Sequence, residues 1–267
     1  MNTTNKLKTA LIQADLIWEN PAENRNHFKE KINKLPLGID LIILPEMFTT
    51  GFTMNAQHLA ETMTGDTINW MQDVANKKQT AIVGSIIIKE PCLNTDKEHN
   101  YYNRLLFVHP SGKIDFYDKK HLFTLAGENK MFSAGKSTSI IDYKGWKICP
   151  LICYDLRFPI WARNTLNYDL LLYVASWPIP RIEAWNTLLK ARAIENMSYT
   201  IGVNRVGTDA NDYEYNGNSA TYDMLGKCLT KNTAEEISLI IELDKEVQCK
   251  TRDKFRFLDD KDFFTIQ

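Results

Sequence analysis

Residues 149–159 read Cys149-Pro150-Leu151-Ile152-Cys153-Tyr154-Asp155-Leu156-Arg157-Phe158-Pro159. The apolar run from Trp146 to Ile152 reads as a buried strand, and a polar turn and a helical pattern over Arg157–Leu166 follow it. Cys153 therefore stands where a strand hands over to a helix. A thiol there clears the sheet and lies near a helix N-terminus, whose dipole favours thiolate. Cys149 lies inside the strand and suits the ordinary role of a lone cysteine, a small core hydrophobe. A disulfide between the two is disfavoured across one extended strand.

Two further segments also place a reactive group at a strand exit. Leu41-Ile42-Ile43-Leu44-Pro45-Glu46 ends in a carboxylate, and Met47, Phe48, Phe52 and Met54 surround it with apolar bulk. A solvated loop carboxylate is the bland reading; partial desolvation would make Glu46 a better base. Tyr117-Asp118-Lys119-Lys120-His121-Leu122-Phe123 supplies an amine after another strand. Strand alternation places Lys119 with Tyr117 and His121, and Lys120 opposite. A thiol, a carboxylate and an amine at strand exits make a candidate amide-hydrolysing centre. His121 could instead pair with a cysteine as in a peptidase, although a structural hydrogen bond beside Lys119 is the simpler reading.

The rest of the chain narrows the class. Its net charge is −1 with no long run of one sign, which gives no footprint for nucleic acid or an anionic membrane. No apolar run reaches the ~18 residues of a membrane span. Met1-Asn2-Thr3-Thr4-Asn5-Lys6 lacks the apolar core of a secretory signal. The odd number of scattered cysteines, five, reads as free thiols in a reducing cytoplasm. Histidines 27, 58, 99, 109 and 121 have no metal-ligand spacing. Gly135-Lys136-Ser137 lacks the earlier glycine of a phosphate loop, because position 130 is lysine.

Periodicity predicts strands near Lys6–Gln13, Asp40–Pro45, Thr80–Ile88, Asn100–His109, Lys113–Tyr117, Ser139–Tyr143, Lys147–Cys153, Leu170–Ala175, Tyr199–Asn204, Asn218–Asp223 and Ser238–Leu243. Helices are expected over Asn20–Leu35, Thr64–Lys78, Arg157–Leu166 and Arg181–Met197. Helices and strands alternate but hairpins intervene, which predicts mixed sheets covered by helices, not a doubly wound parallel sheet. No linker or repeat divides the chain. A single domain over residues 1–267 is expected, with about 244–267 a polar C-terminal extension.

Together the segments resemble the carbon–nitrogen hydrolase (nitrilase) superfamily. Leu44-Pro45-Glu46-Met47-Phe48, Tyr117–Phe123 and Ile152–Pro159 match its Glu, Lys and Cys motifs in the family's order. Arg192-Ala193-Ile194-Glu195-Asn196 and Asn204-Arg205-Val206-Gly207 match two later signatures. The resemblance implies a four-layer α-β-β-α sandwich, a triad of Glu46, Lys119 and Cys153, and no cofactor or metal. It carries a further catalytic glutamate onto Glu128. His121–Glu128 and the Cys153 segment look most like the bacterial ω-amidase branch, which cleaves the terminal amide of 2-oxo acids such as 2-oxoglutaramate or 2-oxosuccinamate. The expected partners are a small amide, water and a second copy of the chain. Tyr154 would offer a backbone N–H to the oxyanion, and Trp177 and Arg181 would bind substrate, Arg181 through its carboxylate. Arg157 is expected to be a buried structural partner of a carboxylate. The alternatives are a carbamoyl-amine hydrolase, a nitrilase, or a non-catalytic binding protein on the same fold.

Overall fold

The computed structural model describes residues 5–92 and 98–265. Residues 1–4, part of the segment read as lacking a secretory signal, lie outside the described residues. In chain order the strands are β1 (Lys6–Gln13), β2 (Leu41–Ile43), β3 (Ala81–Pro91), β4 (His99–Val108), β5 (Ile114–Asp118), β6 (Ile141–Tyr143), β7 (Trp146–Ile152), β8 (Leu170–Ala175), β9 (Tyr199–Asn204), β10 (Val206–Thr208), β11 (Glu214–Asn216), β12 (Ala220–Tyr222) and β13 (Ile237–Asp244). The helices are α1 (Pro21–Asn33), α2 (Ala56–Leu59), α3 (Asp66–Lys78), α4 (Glu128–Met131), α5 (Pro159–Ala162), α6 (Ile182–Glu195) and α7 (Lys245–Phe255).

One sheet has the order β13-β1-β2-β3-β4-β5 and the other β12-β9-β8-β7-β6. Both are mixed. β1, β2 and β3 are parallel to one another, as are β7, β8 and β9, and the flanking strands pair antiparallel. Parallel neighbours need crossovers, and α1, α3 and α6 supply three of them.

β1 shows how the layers arise. Leu7 and Leu11 enter the core between the sheets with Ile43, Val83, Ile148 and Leu172. Ala10 and Ile12, on the opposite face, pack under Phe28 and Ile32 of α1 and Met71 of α3. The period of two thus buries both faces of one strand. On the second sheet, a Cβ on Gly202 would lie 2.5 Å from Leu189 Cδ1 and 2.7 Å from Trp185 Cζ2. Only glycine lets α6 settle that close to β9. The result is an α-β-β-α sandwich. Among the described residues no helix is long and apolar enough to cross a membrane.

One expectation fails locally. The helix expected over Arg157–Leu166 is a 3₁₀ turn, Cys153–Arg157, followed by the single turn of α5. Pro159 disfavours helical backbone at Phe158, which separates the two. Beyond α5, the side chains of Asn164 and Asn196 take the backbone groups that a longer helix would use: Asn164 N–H donates to Asn196 Oδ1 at 2.8 Å and Tyr168 N–H to Asn164 Oδ1 at 2.9 Å. The segment after Leu243, expected as a polar extension, forms α7. Asp244 caps that helix by accepting from the N–H groups of Glu246 and Val247, and Arg252 donates to the carbonyls of Met197 and Tyr168, each at 2.7 Å.

Candidate active site

Glu46 leaves β2 just before a sharp turn. Met47 has φ of 45°, a left-handed value, and its N–H donates to Ser85 Oγ at 2.8 Å. This turn drives Glu46 into the interior, where it is 0% exposed. Its Oε1 accepts from Lys119 Nζ at 2.9 Å and Asn103 Nδ2 at 2.8 Å, and its Oε2 from the Ser176 N–H at 2.9 Å.

Lys119 follows β5 and points inward, as the alternation predicts. Its ammonium pairs with Glu46 and with both oxygens of Glu128, at 2.9 and 3.0 Å. Its backbone is fixed through Asn103 O and the Gly135 N–H. Glu128 opens α4 directly after Gly127, whose φ is 75°. Glu128 Oε2 also accepts the Phe123 N–H at 2.6 Å. Burial alone would lower the Lys119 pKa, but Glu128 and Glu46 together raise it, so the ammonium form persists. Burial, with Glu46 nearby, pushes the Glu128 carboxyl up against the pull of Lys119.

Cys153 directly follows β7 and has φ of 42°, a strained left-handed elbow. Asp155 holds the elbow. It is fully buried and accepts from Ile152 N–H, Tyr117 Oη, His121 N–H and His121 Nδ1. His121 is therefore committed to Asp155 and stacks on Phe158 at 3.6 Å, not on the thiol. Cys153 is half-buried as a residue, but its sulfur sits deep beside Glu46, Lys119 and the Ser176 N–H. Burial first, then Glu46, pushes the thiol pKa well up, and Lys119 only partly offsets this. The thiolate-favouring helix terminus expected from sequence is absent. A short 3₁₀ turn stands in its place, and the thiol needs a base.

Glu46, Lys119 and Cys153 line a cavity of about 520 Å³, with Glu128 bonded to Lys119. Tyr154, Trp177 and Arg181 line it, so all the expected site residues meet in one place. Trp177 is fixed by Asn204 Oδ1, which accepts its N–H at 2.7 Å, and its indole donates to Arg181 O at 2.7 Å. Arg181 lies over Phe123 at 5.3 Å. Arg157 departs from expectation. It lines the cavity over Trp177 at 4.9 Å, and among the described residues no carboxylate pairs with it. The buried carboxylate of this segment is Asp155, served by Tyr117 and His121. Asn103, Ser85 and Ser176 escaped the sequence reading, as did Asp209 and Tyr215, which reach the cavity from the β10–β11 region. Ser85 carried a signal, a polar residue within the apolar run Ala81–Ile88, whereas Asn103 stands among the polar residues of the first half of β4.

A buried thiol beside a carboxylate, with an ammonium facing the same space, is arranged for attack on an acyl carbon. Residues 8–251 match the carbon–nitrogen hydrolase family model, and the chain belongs to that family. It is a hydrolase of non-peptide carbon–nitrogen bonds. The chain is 41% identical over 263 residues to omega-amidase YafV of Escherichia coli (strain K12), covering 97% of this chain and 98% of that one. It is 32% identical to the 2-oxoglutaramate amidase of Bacillus subtilis (strain 168), over 96% and 97% of the two chains. Among solved structures, XC1258 from Xanthomonas campestris, a CN-hydrolase superfamily protein with an arsenic adduct in its active site, superposes with a TM-score of 0.92 at 38% identity, over 98% and 99% of the chains.

Proposed function

We propose that this protein is an ω-amidase. It hydrolyses the terminal amide of a small 2-oxo acid, of the 2-oxoglutaramate or 2-oxosuccinamate type, and releases ammonia. One observation supports this choice above others. Two guanidinium groups, Arg157 and Arg181, line the cavity on aromatic faces, and among the described residues neither forms an ion pair with a carboxylate. A cavity that holds two such cations suits a substrate that brings its own carboxylate. The likeness to the two amidases supports the same reading.

In the proposed reaction Glu46 takes the Cys153 proton, and the sulfur attacks the amide carbon. Negative charge develops on the carbonyl oxygen, which faces the Lys119 ammonium and the Tyr154 N–H. The C–N bond breaks as Glu46 returns the proton to nitrogen, and ammonia leaves. Water then attacks the thioester with Glu46 again as base, and the free acid departs as the thiol is restored. Glu128 holds Lys119 in place throughout. Trp177 and Arg181, with Arg157, orient the substrate.

We also assign this activity to a cytoplasmic homodimer. The free thiols of Cys149, Cys153, Cys228 and Cys249 support a reducing compartment, and exposed Ile160 on α5 and Ile194 on α6 offer apolar area to a second copy. An ammonia-release screen tests the substrate. Turnover of 2-oxoglutaramate or 2-oxosuccinamate well above glutamine, carbamoylputrescine and simple nitriles is expected. Preference for carbamoylputrescine or a nitrile would overturn the ω-amidase reading and leave the family membership intact.

A further inference from the structure

Asn103 sits in β4 opposite Ile87 of β3, and it is completely buried. Its Nδ2 donates to Glu46 Oε1 at 2.8 Å and approaches Glu128 Oε1 at 3.4 Å. An amide NH₂ carries two donors and no charge, so one side chain can serve two carboxylates that already share a single ammonium. The reverse orientation would aim Oδ1 at both acids and is repulsive, which fixes the amide as drawn. Asn103 Oδ1 is left buried with no partner among the described residues. An unpartnered buried acceptor costs free energy, and an apolar residue of similar size would fill this strand position without it. The cost is offset by what Nδ2 does.

With Lys119 and Asn103 both on Oε1, that oxygen of Glu46 is saturated. Among the described residues Oε2 takes one N–H, that of Ser176, which leaves a lone pair for the Cys153 thiol that hydrogen-bonds Glu46. We propose that Asn103 is a positioning residue that pins Glu46 Oε1 beside Glu128 and so reserves Glu46 Oε2 to receive the Cys153 proton. This builds on the reading of Glu46 as the base. The other charged or titratable groups facing this pair are Lys119 and Cys153, with Arg157, Arg181, Asp209 and Tyr215 around the same cavity and Asp155, Tyr117 and His121 behind the elbow. None of them is altered in the variants below.

The test compares Asn103→Leu, Asn103→Asp and Glu46→Gln. It measures kcat and KM against pH on 2-oxoglutaramate, Cys153 alkylation by iodoacetamide against pH, and thermal unfolding. A donor to a carboxylate favours its charged form, so losing it moves the acid limb of kcat/KM and of alkylation to higher pH. We expect a move of about one pH unit in Asn103→Leu, with kcat at least about ten-fold lower at the acid side and KM within about two-fold. Asn103→Asp places a third acid in the site and should move the limb further. If Asn103→Leu does not fold, Asn103→Asp and its alkylation profile decide. Unchanged limbs, or a uniform loss at every pH that tracks only a lower melting temperature, would overturn the positioning role. Glu46→Gln separates the two readings. If it is inactive while the Asn103 limbs stay put, only the positioning role fails; if it keeps activity, the base assignment falls and the positioning role with it.

Discussion

At the residue scale the thiol is the first commitment. Cys153→Ala should abolish turnover and leave the fold intact, whereas Cys149→Ala should keep activity. Mass spectrometry of the wild type with substrate should find an acyl adduct on Cys153. Because burial pushes this thiol up, its alkylation in the absence of substrate should be slow at neutral pH and accelerate as pH rises. Lys119→Ala should cost about 10²–10³ in kcat, the usual loss for one oxyanion donor. Lys120→Ala should be mild, since its ammonium lies over Trp161 and away from the cavity. Arg181→Ala should raise KM about ten-fold or more with a modest change in kcat, because a charged hydrogen bond contributes about 1.5–3 kcal/mol. Arg157→Ala should do the same if the two guanidiniums share the carboxylate, and a KM change in only one of them identifies the clamp. The positions of Glu46, Lys119 and Cys153 at strand exits were legible, because a strand followed by a turn leaves a pattern in one dimension. Arg157 was misread because the position after an elbow does not reveal which way a long side chain swings. Asn103 was missed for a related reason: its partners, Glu46 and Glu128, lie 57 and 25 residues away in the chain.

At the scale of elements, strand positions followed from alternation and turn residues, and helix ends were less readable. The fate of the chain after Arg157 was decided by Asn164 and Asn196, and a contact across that distance leaves no periodic trace. α7 was hidden by its polarity, although Asp244 before Lys245-Glu246-Val247 is a helix-start signal. Asp244→Ala should cost about 1 kcal/mol in urea unfolding with kcat unchanged. The β4–β5 hairpin carries a pH-sensitive pair. Burial alone would raise the Asp115 carboxyl, but Lys113 and His109 hold it below the ordinary value. A depressed folded value means its stabilisation is present at neutral pH and lost as pH falls through the acid range. Asp115→Asn should therefore cost under about 1 kcal/mol at pH 7, and the difference from wild type should vanish by about pH 2.

At the scale of the molecule, the two sheets share the site between them. Glu46, Asn103 and Lys119 come from the strands and strand exits of the first sheet, and Cys153, Ser176 and Trp177 from those of the second. The mixed character of both sheets was readable, because hairpins and crossovers announce themselves in turn chemistry and spacing. Which strands would face one another was not, since sheet-to-sheet contact joins residues with no fixed separation in sequence.

The return of the chain through β13 has a consequence for how the molecule comes apart. Strands β1 to β5 build one sheet and β6 to β9 with β12 the other, with β10 and β11 a separate two-stranded ribbon, yet β13 runs back to pair with β1 along Lys6–Gln13. The last strand is thus a clasp that fastens the second half of the polypeptide to the first. Glu46 and Cys153 lie on either side of the seam that this clasp closes. Loosening it would let the halves slide by a fraction of a bond length before either lost its own pairing. The enzyme should consequently fall silent in denaturant at a lower concentration than that at which its circular dichroism collapses, a built-in report on whether the two halves are still aligned.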